Sequence, residues 1–376
     1  MGRSIVLGVR GFAVAILLVG IVNAPALAAG SSATCESPGG QPRAGAGDAV
    51  ANGVTVVSPC LAWFVGAISH PSGSEPLIER WNGTAWKTQS APNPGNAMLA
   101  DVVATSSSNA WAVGRRFVGS TIHPLIERWN GAAWKVQRLP NPDAKGALTG
   151  VTATSSSDAW AVGTANENTL IEHWNGSVWK VVPSPNPGTS RDLQGVDATS
   201  PSNAWAVGSA MTRAGLGPLI LHWNGRKWLV QRNPDLGVGV SAVLFGVTAT
   251  SSTNAWAVGL QNHGTGQDQL VLHWNGTAWK VQSSQSPPGL SELHGVVATS
   301  ATSAWAVGFR ERTGGAPDQT LMEHWNGTSW KIVSSPNPRA TLDRLYAVDA
   351  ESPHDVWGVG TYSNGSSLRP LAFERT

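Results

Sequence analysis

Cysteine, tyrosine and charge are all scarce in this sequence of 376 residues: two Cys, two Tyr and 13% charged residues. Two cysteines cannot build a disulfide scaffold of this length. The low charge, with 19 Trp and 41% hydrophobic residues, excludes a disordered acidic or basic chain. The formal charge of +2 comes from Arg3 and Arg10; without them 23 basic residues face 23 acidic ones. A neutral chain lacks the clustered Lys and Arg that displace counterions from phosphates, so nucleic acid is excluded as a partner. Sustained helical periodicity is missing after the first residues, as is any apolar run long enough to span a bilayer. There is no nucleophile elbow, phosphate-cradling glycine loop, paired-His zinc motif or two-Cys metal pattern. No cofactor and no metal are therefore expected.

The N-terminus reads as a signal peptide over residues 1–29. Arg3 and Arg10 precede an unbroken apolar run from Phe12 to Val22, and Ala26-Leu27-Ala28 is a small-residue cleavage site. Cleavage near Ala28 makes this a secreted protein, with no transmembrane segment in the mature chain.

Residues 30–376 carry one repeated unit. The phrase A-W-A-V-G occurs at Trp111, Trp160, Trp205, Trp256 and Trp305, with looser copies at Trp63 and Trp357. Its tryptophans recur at spacings of 48, 49, 45, 51, 49 and 52 residues. A second phrase, W-N-G-x-x-W, begins at Trp81, Trp129, Trp174, Trp223, Trp274 and Trp325. The seven units start near residues 52, 99, 148, 193, 244, 293 and 345. Each reads as four short strands: an alternating run, a serine-rich turn, A-W-A-V-G, a variable stretch, a third strand into W-N-G, and a Trp-led fourth strand before prolines. Asn-Gly predicts a tight hairpin in which both residues take positive φ. Four-stranded units of this length, repeated seven times, predict an all-β, seven-bladed β-propeller in a single domain. The seven A-W-A-V-G tryptophans are then the fillers between blades. The last unit ends at Thr376 without a fourth strand, and residues 34–38 align with the missing one. The N-terminal strand is thus expected to close the last blade.

These residues resemble a kelch-type propeller repeat, and also the W-N-G-x-x-W repeats of exported bacterial propellers of unknown function. The resemblance covers nearly all of residues 52–376. A single Gly stands after the second strand, followed by Arg115, Thr164, Ser209 or Leu260, where kelch units carry a Gly pair. The resemblance implies a propeller and no particular activity.

Variation concentrates in the loops after the second strand, so that end of the ring is the candidate ligand face. The ligand-binding candidates there are His70, Arg115, Arg116, Arg213, His263, Arg310, Arg312 and Tyr362. The W-N-G-x-x-W pairs offer aromatic faces for sugar stacking or, alternatively, hairpin packing. His173, His222, His273 and His324 recur once per unit, too widely spread around a ring to converge on one metal. Glu79, Glu127, Glu172 and Glu323 are expected at the surface. Asp101, Asp197 and Asp349, on first strands near the axis, are the better candidates for acid–base or cation chemistry. Cys35 and Cys60 are expected to form a disulfide, because adjacent first and last blades bring them together in an oxidising compartment. The leading expectation is a monomeric, non-catalytic binding propeller whose partner is a glycan or a protein on the cell exterior. The alternatives are a polysaccharide hydrolase or lyase and a structural interaction ring.

Overall fold

The computed structural model describes residues 35, 42 and 47–376, except 265, 286, 288, 313–315, 339 and 340. The expected signal peptide lies outside them. Cys35–Thr376 form one compact unit. Its described residues hold 27 strands in seven antiparallel sheets, the blades of a propeller. Six sheets have four strands in sequence order. The last has three, Leu342–Ser352, Asp355–Ser363 and Leu368–Arg375. Of residues 34–38, expected to supply its fourth strand, only Cys35 is described.

The third blade shows how the repeat folds: strands Gly146–Ser155, Asp158–Ala165, Asn168–Trp174 and Trp179–Val181. Threonine and valine favour the pleated conformation, and Ser155 Oγ accepts the Ser157 amide at 3.2 Å to close the first turn. The W-N-G hairpin departs from the expected tight turn. Trp174 pairs with Trp179, leaving a four-residue loop in which only Gly176 has positive φ, at 92°. Asn175 acts through its side chain, whose Oδ1 accepts the amides of Ser177 at 3.1 Å and Val178 at 3.0 Å. This local bonding is what asparagine offers a turn besides conformational tolerance. Fourth strands are three residues long and, except in blade 4, where Leu229 stands at the position, expose a lysine, as at Lys135 and Lys180, which blunts an outer sheet edge.

Tryptophan joins the blades. Trp63, on the second strand of blade 1, packs against Trp129 and Trp134 of blade 2 at centroid distances of 5.2 and 5.4 Å. Trp111, Trp160, Trp205 and Trp256 meet the next W-N-G-x-x-W pair in the same tilted and edge-on way, at 4.9–5.3 Å. Trp357 closes the ring onto Trp81 and Trp86 at 5.9 and 5.8 Å. Such pairs contribute about 0.5–1.5 kcal/mol beyond area burial. Both rings of each pair thus take part in packing between blades. The interface between blades 6 and 7 differs, because blade 7 has no such pair. There Trp305 stacks on His324 at 4.0 Å, lies 5.4 Å from the Arg375 guanidinium and donates its indole N–H to Pro353 O.

The third-strand histidines support the same tryptophans. His222 and His273 stack on Trp205 and Trp256 at 4.2 and 4.1 Å and bond to Asn203 and Asn254. The preceding glutamates correct the sequence expectation: Glu79, Glu127, Glu172 and Glu323 are buried, not at the surface. They alternate in register with the tryptophans and so face the neighbouring blade. Burial raises the carboxyl pKa to about 8 in Glu127 and Glu323 and about 7 in Glu172.

Ring closure rests on polar contacts as well. Asp349 Oδ2 accepts the Val56 amide and Asp48 Oδ1 accepts the Leu368 amide, each at 2.8 Å. Cys35 and Cys60 are joined as a disulfide, with Cα atoms 5.3 Å apart. Cys60 occupies the first-turn position held by Ser108, Ser157 and Ser202 in blades 2 to 4, where each packs on a hairpin glycine.

Candidate functional site

The first strands line the axis, and each carries a β-bulge at the same place. In blade 3, Gly150 pairs with Val162 and Leu148 with Gly163, so Thr149 is left over. The equivalent extra residues are Asn52, Ala100, Gln194, Phe245, His294 and Tyr346. The bulge explains the last glycine of A-W-A-V-G: a Cβ on Gly163 would lie 2.1 Å from Ala147 O. It also turns one side chain per blade toward the axis, the usual service of a bulge beside a site. All seven line a central pocket near the variable-loop end. Their flanks barely change, as in Leu148-x-Gly150-Val151, Leu193-x-Gly195-Val196 and Leu244-x-Gly246-Val247, whereas the seven bulge residues are all different.

The pocket has two unlike walls around a mouth of about 300 Å³. One is aromatic. Phe245 and His294 stack with centroids 4.5 Å apart and planes at 2°, and Tyr346 stands edge-on to His294 at 5.5 Å. His294 Nε2 lies 2.9 Å from Glu292 Oε1, and Glu292 Oε2 accepts from Gln267 at 3.2 Å. Burial pushes the Tyr346 hydroxyl above its ordinary pKa, against the pull of Arg344. The opposite wall is polar. Asn52 Nδ2 donates to Leu99 O at 2.8 Å, Thr149 Oγ1 to Leu193 O at 2.7 Å, and Gln194 Nε2 to Asp192. These bonds orient the side chains and leave the Asn52 and Gln194 carbonyl oxygens as acceptors. Arg115 completes the wall.

Deeper in the axis lies a space of about 160 Å³, bordered by Asp101, Asp197 and Asp349. Each carboxylate clamps two blades. Asp101 takes the amides of Val102 and Val151, both at 2.9 Å; Asp197 those of Ala198 and Ala249 at 2.8 and 2.7 Å. Asp349 takes Ala350 and Val56, both at 2.8 Å. In two other blades Thr55 and Thr248 do the same work, accepting from Ala104 and Ala298. The acids are therefore interblade clamps, and a threonine hydroxyl serves in place of a carboxylate. Burial raises Asp101 to about 7 and Asp349 to about 6, offset by the amide bonds, and Asp197 moves in the same direction. Among the described residues, no group of three His, Cys, Asp or Glu is placed to hold a metal ion.

Of the eight residues singled out on the variable-loop face, the structure brings only Arg115 to this pocket. His70 pairs with Glu75 at 3.8 Å and His263 with Asp268 at 3.7 Å, both away from the axis. Arg116 stands across from His123 on the neighbouring strand, and Arg310 donates to Gln319 at 2.6 Å. Arg213 and Arg312 are exposed, and Tyr362 packs on the apolar cluster of the last blade. The bulge residues were not singled out. Their signal is in the sequence all the same, as one position that differs in every copy of a strand that otherwise repeats.

No protein family matches the sequence, and no curated protein matches it. Solved structures share the fold. YCF48 from Cyanidioschyzon merolae aligns at a TM-score of 0.54 with 15% identity, covering 88% of this chain and 97% of its own. YCF48 has also been solved bound to a D1 peptide. A PL25 ulvan lyase, bound to a glucuronate–sulfated rhamnose unit, aligns at 0.57 with 10% identity over 89% and 98%. The GH74 xyloglucanase of Xanthomonas campestris aligns at 0.52 with 12% identity over 88% and 55%. At these identities the likeness is one of fold.

Proposed function

We propose that this protein is an exported, non-catalytic binding propeller that holds one unit of a glycan in its axial pocket. The reading rests on a single observation: the bulge residues converge there as a stacked Phe245–His294 wall facing the amides of Asn52 and Gln194 and the hydroxyl of Thr149. A sugar ring has an apolar face to stack and a rim of hydroxyls to bond, and this pairing of walls suits it. Export follows from the leader, and the Cys35–Cys60 bridge is consistent with an oxidising compartment. Isothermal titration against a panel of cell-envelope and plant oligosaccharides tests it. At least one should bind without turnover, and Phe245→Ala should weaken that binding about tenfold, or 1.4 kcal/mol. Binding indifferent to both Phe245→Ala and Gln194→Ala would place the ligand elsewhere.

A second reading draws on the His294–Glu292 pair beside Tyr346. These groups have the residue types of a general base and acid, and structural neighbours of this fold include a lyase and a xyloglucanase. Release of new reducing ends from any bound oligosaccharide, abolished in His294→Ala, would favour it over simple binding. A protein partner is the third reading, in keeping with the peptide complex of YCF48.

A further inference from the structure

Among the described residues, Arg115 is the one permanently charged side chain lining the axial mouth. Its Nε donates to Met98 Sδ, a weak acceptor, at 3.0 Å, and its guanidinium lies 6.0 Å from the Phe117 ring. Among the described residues no carboxylate comes within ion-pair distance of it. Two other half-buried arginines of the ring, by contrast, are held by partners. Arg344 is held by Asp318 through Nε and Nη2 at 2.8 and 2.5 Å, with Glu311 at 3.7 Å. Arg128 is bonded twice to Asn109. The acids of the axis bond other groups: Glu292 is paired with His294, and Asp101 accepts the amides of Val102 and Val151. Ala100, the bulge residue of the same blade, is the smallest of the seven and leaves open the space where its neighbours place larger groups.

Resting on the saccharide reading of this pocket, we infer that its ligand is an acidic sugar whose anionic group sits on Arg115 while its ring lies against the Phe245–His294 wall. With Nε anchored on Met98, the terminal nitrogens present a planar fork suited to two oxygens of a carboxylate or a sulfate ester. A neutral sugar would leave that charge in the pocket without a counter-ion.

The test titrates the full exported protein with three probes: trigalacturonate, the same trisaccharide after carboxyl reduction, and a sulfated galactan trisaccharide. The wild type should bind one anionic probe at least about tenfold more tightly than the neutral one, a difference of about 1.4 kcal/mol. That preference should shrink as salt rises. Arg115→Met should erase the preference. Arg115→Lys should restore part of it, and Arg213→Met on the rim should do nothing. Preference for the carboxylate or for the sulfate probe identifies which anion is read. Equal binding of acidic and neutral probes, sensitive to Phe245→Ala but not to Arg115→Met, would overturn this inference while leaving the saccharide pocket in place. Failure of the wild type to bind any of the three would overturn it together with that reading.

Discussion

Between blades 3 and 4, Trp160 meets Trp223 and Trp228 at 5.0 and 5.3 Å; between blades 4 and 5, Trp205 meets Trp274 and Trp279 at 5.1 Å each. Toward the axis the same blades present three different side chains, Thr149, Gln194 and Phe245. One region repeats because every interface must fill the same gap between twisted sheets. The other diverges because nothing in ring packing dictates what a bulge residue presents to an open pocket. In a repeat protein, then, a position that varies inside an otherwise constant strand separates binding from architecture more sharply than loop length does.

The largest effect should come from breaking the repeated region. Trp160→Ala or Trp256→Ala should cost about 3–5 kcal/mol by urea denaturation, the range for a large buried aromatic. Trp305→Ala should cost less, since its neighbour blade offers Arg375 in place of two indoles. Equal losses at Trp160 and Trp305 would mean that the three-indole clusters add nothing over ordinary burial.

Next comes the first blade, where Cys60 stands in for the turn serine. Reducing the bridge to Cys35, 25 residues away, should remove about 3 kcal/mol in the chain-entropy picture. A melting temperature unmoved by reductant, with both thiols then alkylated, would show that the bridge constrains little. At the axis the contrast inverts. Phe245→Ala should change stability by less than about 1 kcal/mol while weakening ligand binding. A Phe245→Ala variant as unstable as Trp160→Ala would make the bulge residue part of the core.

The most graded effect is that of pH. Glu127, Glu172 and Glu323, with pKa values raised to about 8, 7 and 8, keep protons that the unfolded chain releases. Asp101 and Asp349, at about 7 and 6, do likewise. Their contribution is complete below the ordinary carboxylate range and is lost as pH rises through these folded values. Melting temperature should therefore fall between pH 5 and pH 8, and Glu127→Gln should flatten the slope. A melting temperature that rises over that window would show the carboxyls to be solvated.

Much of the ring was legible. Two tryptophan phrases at near-constant spacing, turn residues at fixed offsets and a period of about 45–50 residues suffice for seven blades, because a four-stranded sheet cannot bury both faces alone. The bulge was not. Leu148-Thr149-Gly150-Val151 reads as simple alternation, and one extra residue leaves no trace in composition. Glu127 was also misplaced. A carboxylate once per repeat looks solvated until the neighbouring blade covers it and favours its neutral form.

By itself the sequence determined what is local or repeated: strand length, turn chemistry, and the need for a partner sheet on either side of every tryptophan. Only the tertiary structure decided which side chains share a space. Closing the ring brings Asn52 and Tyr346, from the first and last blades, to one pocket, and seats Arg115 beside Ala100 at its mouth. Backbone propensity acts over a few residues, whereas the convergence of seven strands on an axis depends on how all the blades pack at once.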